Sequence, residues 1–428
     1  MEPGTVFPPS FKPRSGKWLL VFLLSSGLAL DYLSRLAIFS VLPLLQKELA
    51  IGPVALGLVA SSFLWTYGLL SPLAGYVGDR FSRRAVILVS LAGWSVVTLI
   101  SGLAASAWQL VAMRVLLAIA QVCYMPVGQA YLADFHGPES RGRASGFFQS
   151  GSSAGIFLAG LPAAWLATHL GWRAMLMTCG LAGVAFAALL WRVLPRAPQE
   201  LKSIVPAEQS RDSRSDAAAL LRMPPMLVLM AAFSITSITY WILFSYLPLF
   251  VYQQYRLSLE AAAFQATFYI QAAAVALMPV YATIADRWTV RDPRNRYLAC
   301  ALTSFLGLPA LVAIGAGTRL PVLTGGLILF GLVMASSDAS WLAMLCDFTA
   351  ARQRATAYGL LNFCGTIAGG VAALFAALLM KRLGLGIMIA SLGVMYVLVG
   401  VFLLACGYWL LARNRSGHWA VHERAAPL

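Results

Sequence analysis

Charge is what this sequence has least of. Asp, Glu, Lys and Arg make up 11% of its 428 residues, where a soluble domain carries about 25%. So few charges cannot cover a water-facing surface of the size such a chain would need. A cytosolic enzyme, a secreted domain and a nucleic-acid binder are excluded as the main reading. Histidine is nearly absent: His136, His169, His418 and His422 are all there are, and they fall in loops or the tail. No Ser/His/Asp arrangement, nucleotide-binding loop or metal-ligand spacing accompanies them, so neither an enzyme nor a cofactor is expected. The six cysteines, Cys123, Cys179, Cys300, Cys346, Cys364 and Cys406, lie inside apolar stretches. They have no disulfide-framework spacing and read as small core residues.

What the chain has is apolar sequence. Hydrophobic residues make up 60% of it, and the mean hydropathy is +0.77. Runs long enough to span a bilayer, for which about 20 apolar residues suffice, occur at 18–45, 54–77, 85–104, 107–133, 143–168 and 173–193. Six more follow at 225–254, 261–285, 297–316, 320–345, 354–380 and 386–412. The pattern predicts an all-α membrane protein of twelve transmembrane helices. Its parts are an N-tail (1–17), a six-helix bundle (18–193), a linker (194–223), a second six-helix bundle (224–412) and a C-tail (413–428). The N-tail is polar and proline-bearing and lacks a signal-peptide pattern, so the first run reads as a span.

An even number of spans puts both termini on one side, expected to be the cytoplasm. Six of the 31 basic residues, Lys47, Arg173, Arg256, Arg319, Lys381 and Arg382, fall in the loops of the other side. Arg35 and Arg114 lie inside runs. All the rest occupy the cytoplasmic loops, linker and tails, as the positive-inside rule requires. The net charge of +15 therefore reports topology, and nucleic acid is not an expected partner.

The two halves repeat. After the fourth run stand Asp134, Arg141 and Arg143; after the tenth stand Asp347, Arg352 and Arg354, in similar surroundings. The loop after the second run reads Gly75-Tyr-Val-Gly-Asp79-Arg80-Phe-Ser-Arg83-Arg84, and a degenerate copy holds Asp286-Arg287 after the eighth. Two related six-helix bundles with a substrate site between them is a common carrier architecture.

The Gly75–Arg84 segment resembles the signature loop of the major facilitator superfamily, and is correctly placed between the second and third runs. Asp31-Tyr32-Leu33-Ser34-Arg35, Arg114 with Gln121, Tyr124 and Pro126, Gly171-Trp172-Arg173, and Tyr358 to Asn362 together look like the anion:cation symporter family. Spinster-like lipid carriers share the patterns of the first and fourth runs and are the rival. The first resemblance implies a secondary carrier of a small organic anion such as a sugar acid or hexuronate, working by alternating access. The second implies a lysophospholipid carrier, and a drug or metabolite exporter is a further alternative. Expected partners are the anion, the lipid bilayer and either protons or a counter-anion. The expected location is a cell membrane, bacterial and inner, with the carrier a monomer. Both families usually place an acid where Ser34 stands and a glutamate where Gln121 stands. Proton coupling is therefore expected to be unconventional or replaced by exchange.

An arginine at the bilayer centre costs roughly 2.5–3.5 kcal/mol on insertion scales and marks function by default. Arg35 and Arg114 are the leading substrate-binding candidates, because guanidinium matches carboxylate with two parallel hydrogen bonds. The other reading is that each pairs only with an internal acid or with backbone carbonyls. Asp31, four residues before Arg35, and Asp338, deep in the tenth run, are the proton-coupling candidates. Tyr32, Tyr67, Gln121, Tyr124, Gln149, Tyr240, Trp341 and Asn362 are weaker substrate contacts, for which helix packing is an equal alternative. By resemblance Asp79, Arg80, Arg83 and Arg84 lock the cytoplasmic mouth. Asp134 with Arg141 and Arg143, and Asp347 with Arg352 and Arg354, are related gate pairs. Repeated gate loops suit a two-state carrier better than a channel, and a sensor would carry a large soluble domain or an extended tail.

Overall fold

The structure is a computed structural model, and it describes residues 15–49, 51–136, 138–195, 220–292, 294–347, 349 and 354–415. The greater part of both tails and of the linker, together with Arg352, lies outside these residues. Each apolar run is a membrane-length helix: α1 (Ser15–Ser40), α2 (Pro53–Arg80), α3 (Arg83–Ser101), α4 (Ala107–Leu132), α5 (Ala144–Leu170) and α6 (Trp172–Val193). Then come α7 (Pro224–Tyr255), α8 (Leu259–Arg291), α9 (Arg294–Ala316), α10 (Leu320–Cys346), α11 (Arg354–Leu383) and α12 (Leu385–Arg415). The twelve spans and the helical fold match the sequence expectation, and no strand occurs among the described residues. A helix suits a bilayer because it satisfies every backbone group internally.

Local chemistry sets the boundaries. Pro53 and Pro224 open α2 and α7 at positions where a missing N–H costs nothing. Ser82 and Ser106 accept hydrogen bonds from the backbone N–H groups of Ala85 and Gln109, capping α3 and α4. Gly171 (φ +86°) turns the chain between α5 and α6, and Gly384 (φ +78°) does so between α11 and α12. Only glycine adopts this backbone without strain. The two turns stand at equivalent places in the two halves, so the sequence repeat recurs as geometry.

The chain divides into two compact units. The first takes Met1–Gln209, Tyr240–Gln271 and Gly369–Leu385; the second takes Ser210–Thr239, Ala272–Ala368 and Gly386–Leu428. Within the first unit Phe157 meets Phe268 edge-on at 6.0 Å, and the Tyr246 hydroxyl donates to the Ala373 carbonyl at 2.8 Å. Such contacts make the units cut across α7, α8 and α11. The division into six and six helices remains an inference from the repeat. The core of the first unit centres on Trp94, Tyr124, Tyr131 and Phe148; that of the second on Tyr297, Trp341 and Leu403.

Close helix approach depends on small residues. A Cβ at Gly155 would collide with the Ala29 carbonyl and lie 2.6 Å from Tyr32 Cβ, so α5 packs directly on the backbone of α1 beside Tyr32. At Gly325 a Cβ meets nothing within 4 Å. Gly155→Leu is expected to destabilise the protein by about 1–3 kcal/mol through overpacking, and Gly325→Ala by none. Thermal unfolding in mild detergent separates the two; equal midpoints for both variants would sink this account of the α1–α5 contact.

Candidate functional site

On α1 the four-residue spacing of Asp31 and Arg35 puts them on one face, and their side chains pair at 2.8 Å. Arg35 Nε donates to Gln121 Oε1 of α4 at 3.4 Å, and Gln121 Nε2 donates to the Asp31 carbonyl at 3.0 Å. Aromatic rings cover the rest of the guanidinium. Its carbon lies 4.7 Å from the Tyr32 ring, 4.9 Å from Phe63 and 4.8 Å from Tyr67. Phe63 and Tyr67 are themselves stacked along α2.

Arg114 has no acid. Its Nε donates to the Val59 carbonyl at 3.1 Å and its Nη1 to the Arg35 carbonyl at 2.7 Å. Nη2 is buried without a hydrogen-bond partner among the described residues, as is Asp31 Oδ1. The guanidinium carbon lies 4.8 Å from the Phe63 ring and 5.3 Å from Phe39. Arg114 is 3% exposed, Arg35 6% and Asp31 2%. The cluster therefore holds two cations and one anion in a buried setting, a surplus of one positive charge. Each cation–π contact contributes on the order of 0.5–2 kcal/mol. Those contacts offset part of the cost of burying Arg114 and leave its charge in place. An anionic group is the natural complement.

Six sequence candidates thus meet in the first unit: Asp31, Tyr32, Arg35, Tyr67, Arg114 and Gln121. Phe63 and Phe39 were missed, although Phe63 lies four residues before Tyr67 and Phe39 four after Arg35. Tyr124 is turned to packing: its hydroxyl donates to the Leu24 carbonyl at 3.0 Å and its ring meets Trp94 edge-on. At 3.6 residues per turn, ten residues past Arg114 falls about 80° off its face, which turns Tyr124 aside from the cluster. Gln149 is exposed on α5, and Tyr240 is half-buried beside Phe244 in the first unit.

In the second unit Trp341 is buried against Phe233, and Asn362 is half-buried on α11. Asp338 is exposed on α10 and forms no ion pair among the described residues. Close by in sequence, the buried Ser336 and Ser340 form hydroxyl pairs with Thr303 (2.7 Å) and Tyr281 (3.1 Å).

The loop residues divide by role. Arg83 pairs with both Asp134 oxygens, at 2.6 and 2.7 Å. Arg296 pairs with Asp347 at 2.9 Å and approaches Asp286 at 3.8 Å. These two pairs link the start of α3 to the segment following α4, and the start of α9 to the end of α10, one in each half. Arg296 was missed. Arg84 instead donates to the carbonyls of Leu194 (2.7 Å) and Trp191 (2.6 Å), and Tyr131 donates to that of Pro195. Together they hold the chain as it leaves α6. Arg80 is exposed at the end of α2. The side chains of Asp79, Arg141, Arg143 and Arg354 lie outside the described set. Away from these pairs, Glu48 bonds Arg173 and Trp172, and those bonds hold its carboxyl below the usual range.

The profile of the Major Facilitator Superfamily matches residues 24–318 and 266–427. A probable galactarate/D-glucarate transporter of Bacillus subtilis (strain 168) is 26% identical over 60% of this chain and 62% of its own length. A probable L-galactonate transporter of Escherichia coli (strain K12) is 26% identical over 58% and 56% respectively. Spinster homolog 1 of Xenopus laevis is 28% identical over 52% and 43%. The chain thus spans about half the length of these relatives. In fold it is similar to a bacterial homolog of the human lysosomal transporter Spinster, with a TM-score of 0.77 at 19% identity, covering 95% of this chain and 99% of that one.

Burial raises the Asp347 carboxyl above its ordinary range, and Arg296 opposes the rise. A carboxyl raised in the folded state contributes stability that falls as the pH climbs through that range. Removing Arg296 steepens the fall. Arg296→Ala is expected to cost about 1–3 kcal/mol at about pH 8 and less at about pH 5, with Arg296→Lys intermediate. Unfolding midpoints at the two pH values test this, and an equal loss at both would refute it.

Proposed function

The chain belongs to the major facilitator superfamily, and from that premise we propose that it is a secondary carrier moving a small organic anion by alternating access. The observation that carries this reading is the surplus positive charge of the Asp31–Arg35–Arg114 cluster, with Arg114 Nη2 a donor that has no partner among the described residues. The family and fold are those of transporters rather than enzymes. The substrate class we propose is a sugar acid, hexuronate or similar carboxylate, in keeping with the names of the bacterial relatives. The carboxylate meets Arg114 and Arg35, and Tyr32, Tyr67 and Gln121 frame it. A lysophospholipid carrier is the second reading, favoured by the spinster relative; there the same arginines hold a headgroup phosphate. The carrier is multi-pass, and we place it in the cell membrane with both termini cytoplasmic. Arg83–Asp134 and Arg296–Asp347 are its proposed cytoplasmic gate supports.

Coupling follows from charge. Ser34 and Gln121 cannot titrate in the physiological range, so a proton has Asp31 or Asp338 to use. Protonating Asp31 takes the cluster from one surplus positive charge to two; protonating Asp338 leaves it unchanged. With neither engaged, exchange of one anion for another remains.

A thermal-shift panel of hexuronates, sugar acids, dicarboxylates, organophosphates and lysophospholipids tests the substrate class. A ligand at a hundredfold excess over its Kd stabilises the fold by about 2.7 kcal/mol. A shift from a soluble carboxylate, abolished in Arg35→Ala, is the expected result, and a shift from lysophospholipids alone would move the assignment to the second reading. Coupling has its own test in proteoliposomes under an imposed pH gradient. Weak dependence of uptake on the gradient is expected in the parent protein. Strict dependence abolished by Asp31→Asn or Asp338→Asn would replace exchange with proton symport and name the acid.

A further inference from the structure

The Gly171-Trp172-Arg173 motif has a single carboxylate as its target. Gly171 turns the chain, and the next two residues converge on Glu48: Trp172 Nε1 donates to Oε2 and Arg173 Nη1 to Oε1. Arg173 Nη2 also donates to the Ala104 carbonyl at 3.3 Å, which ties the group to the turn between α3 and α4. Glu48 ends a seven-residue helix, Leu42–Glu48, that links α1 to α2 at the end of α1 remote from the N-terminus. A helix this short is not stable by itself, so it is held by what it touches. Just before it, the Ser40 hydroxyl donates to the Ala159 carbonyl of α5. Leu42 and Leu45 are buried, and Glu48 fastens the last turn.

Leu44 stands one turn before Glu48 on the same face. It packs against Ala164 of α5 and against Leu259 and Ala263 of α8. One turn further along α8 comes Thr267, seated on Gly160 so closely that a Cβ there would collide with its hydroxyl. Thr267, Phe39 and Ser40 border a cavity of about 10 Å³, which holds one water molecule at most. Phe39 in turn covers Arg114, its ring 5.3 Å from the guanidinium carbon. Going inward from the helix ends, the order is Leu44, Thr267, Phe39, Arg114, all of them in the first unit. We propose that Leu42–Glu48 is a lid on the outer side of the carrier, that Leu44 closes the approach to Arg114 along this line, and that the Gly171-Trp172-Arg173 motif is the mount that holds the lid through Glu48. The proposal rests on the carrier reading above. Opening this side takes Leu259 and Ala263 away from Leu44. That contact is apolar and made largely with small side chains, whereas Glu48 holds its two donors with a charged carboxylate, and Trp172 is buried. The lid therefore stays with α6 while the end of α8 leaves it.

Thr267→Cys in the full-length protein reports on the lid. Intact cells are treated with a membrane-impermeant maleimide, and modification is read residue by residue by mass spectrometry. The reporter is expected to react slowly with the lid in place. Adding Leu44→Ala or Glu48→Ala is expected to speed it about tenfold, or about 1.4 kcal/mol of lost closure, with Glu48→Asp intermediate because it keeps the carboxylate. Cys300 and Cys406, buried in the second unit, measure unfolding in the same sample. No acceleration in either variant overturns the lid, and acceleration in Leu44→Ala alone overturns the mount. An equal acceleration at Cys300 and Cys406 shows general loosening and overturns both. The second readout is uptake of D-galacturonate, which modification of the reporter is expected to stop. Undiminished uptake by the modified protein would overturn the route past Thr267. If the parent takes up neither D-galacturonate nor any other anion of the panel, the anion reading fails, and the labelling still decides the lid.

Discussion

A cation in a bilayer must be answered by something, and in this protein the answers to Arg35 and Arg114 differ. Arg35 has Asp31 four residues away on its own helix, with three aromatic rings around it. Arg114 has two carbonyls and two rings. Carbonyls and ring faces solvate a guanidinium but do not cancel its charge. The first unit is arranged around that difference. Glycine at 155 lets α5 lie against α1 beside Tyr32, and Gln121 ties α4 to the backbone at Asp31. Packing spread over α1, α2 and α4 surrounds an Arg114 that pairs with no acid among the described residues, and the result is a buried surplus of positive charge.

Much of this was legible in the sequence, for a physical reason. In a chain with so little charge, an arginine inside an apolar run is conspicuous, and helical spacing ties Asp31 and Tyr32 to Arg35. Tyr67 and Gln121 followed from family resemblance and from the face of Arg114. Phe63 and Phe39 were not legible, because a phenylalanine in an apolar helix carries no local mark of the cation it covers. Tyr124 turns to packing because ten residues past Arg114 lies about 80° off that face, a larger offset than the seven-residue step to Gln121. Arg296 was hidden among the basic residues of its loop; its pairing with Asp347 is a tertiary fact, visible beforehand only by aligning it with Arg83 in the repeat. The twelve spans, by contrast, needed only length and hydropathy.

The paired contacts at the ends of the helices show how the repeat is used. Arg83 with Asp134 and Arg296 with Asp347 connect corresponding elements of the two halves, and Gly171 and Gly384 turn the chain at corresponding places. The Asp31–Arg35–Arg114 cluster has no such counterpart among the described residues: Asp338, with its neighbouring serines, forms no ion pair there. The two halves are alike in these supports and differ in their intramembrane charges.

The ring of Phe63 lies within 5 Å of both guanidinium carbons, and this makes the two arginines thermodynamically non-independent. A ring has one quadrupole to share, and a tilt that favours one cation withdraws from the other. Losses measured at Arg35 and Arg114 therefore do not add, and part of the coupling energy that a double-mutant cycle reads between them passes through an uncharged residue. A side chain with no polar atom thus joins the direct bond from Arg114 to the Arg35 carbonyl in letting each charge sense the state of the other.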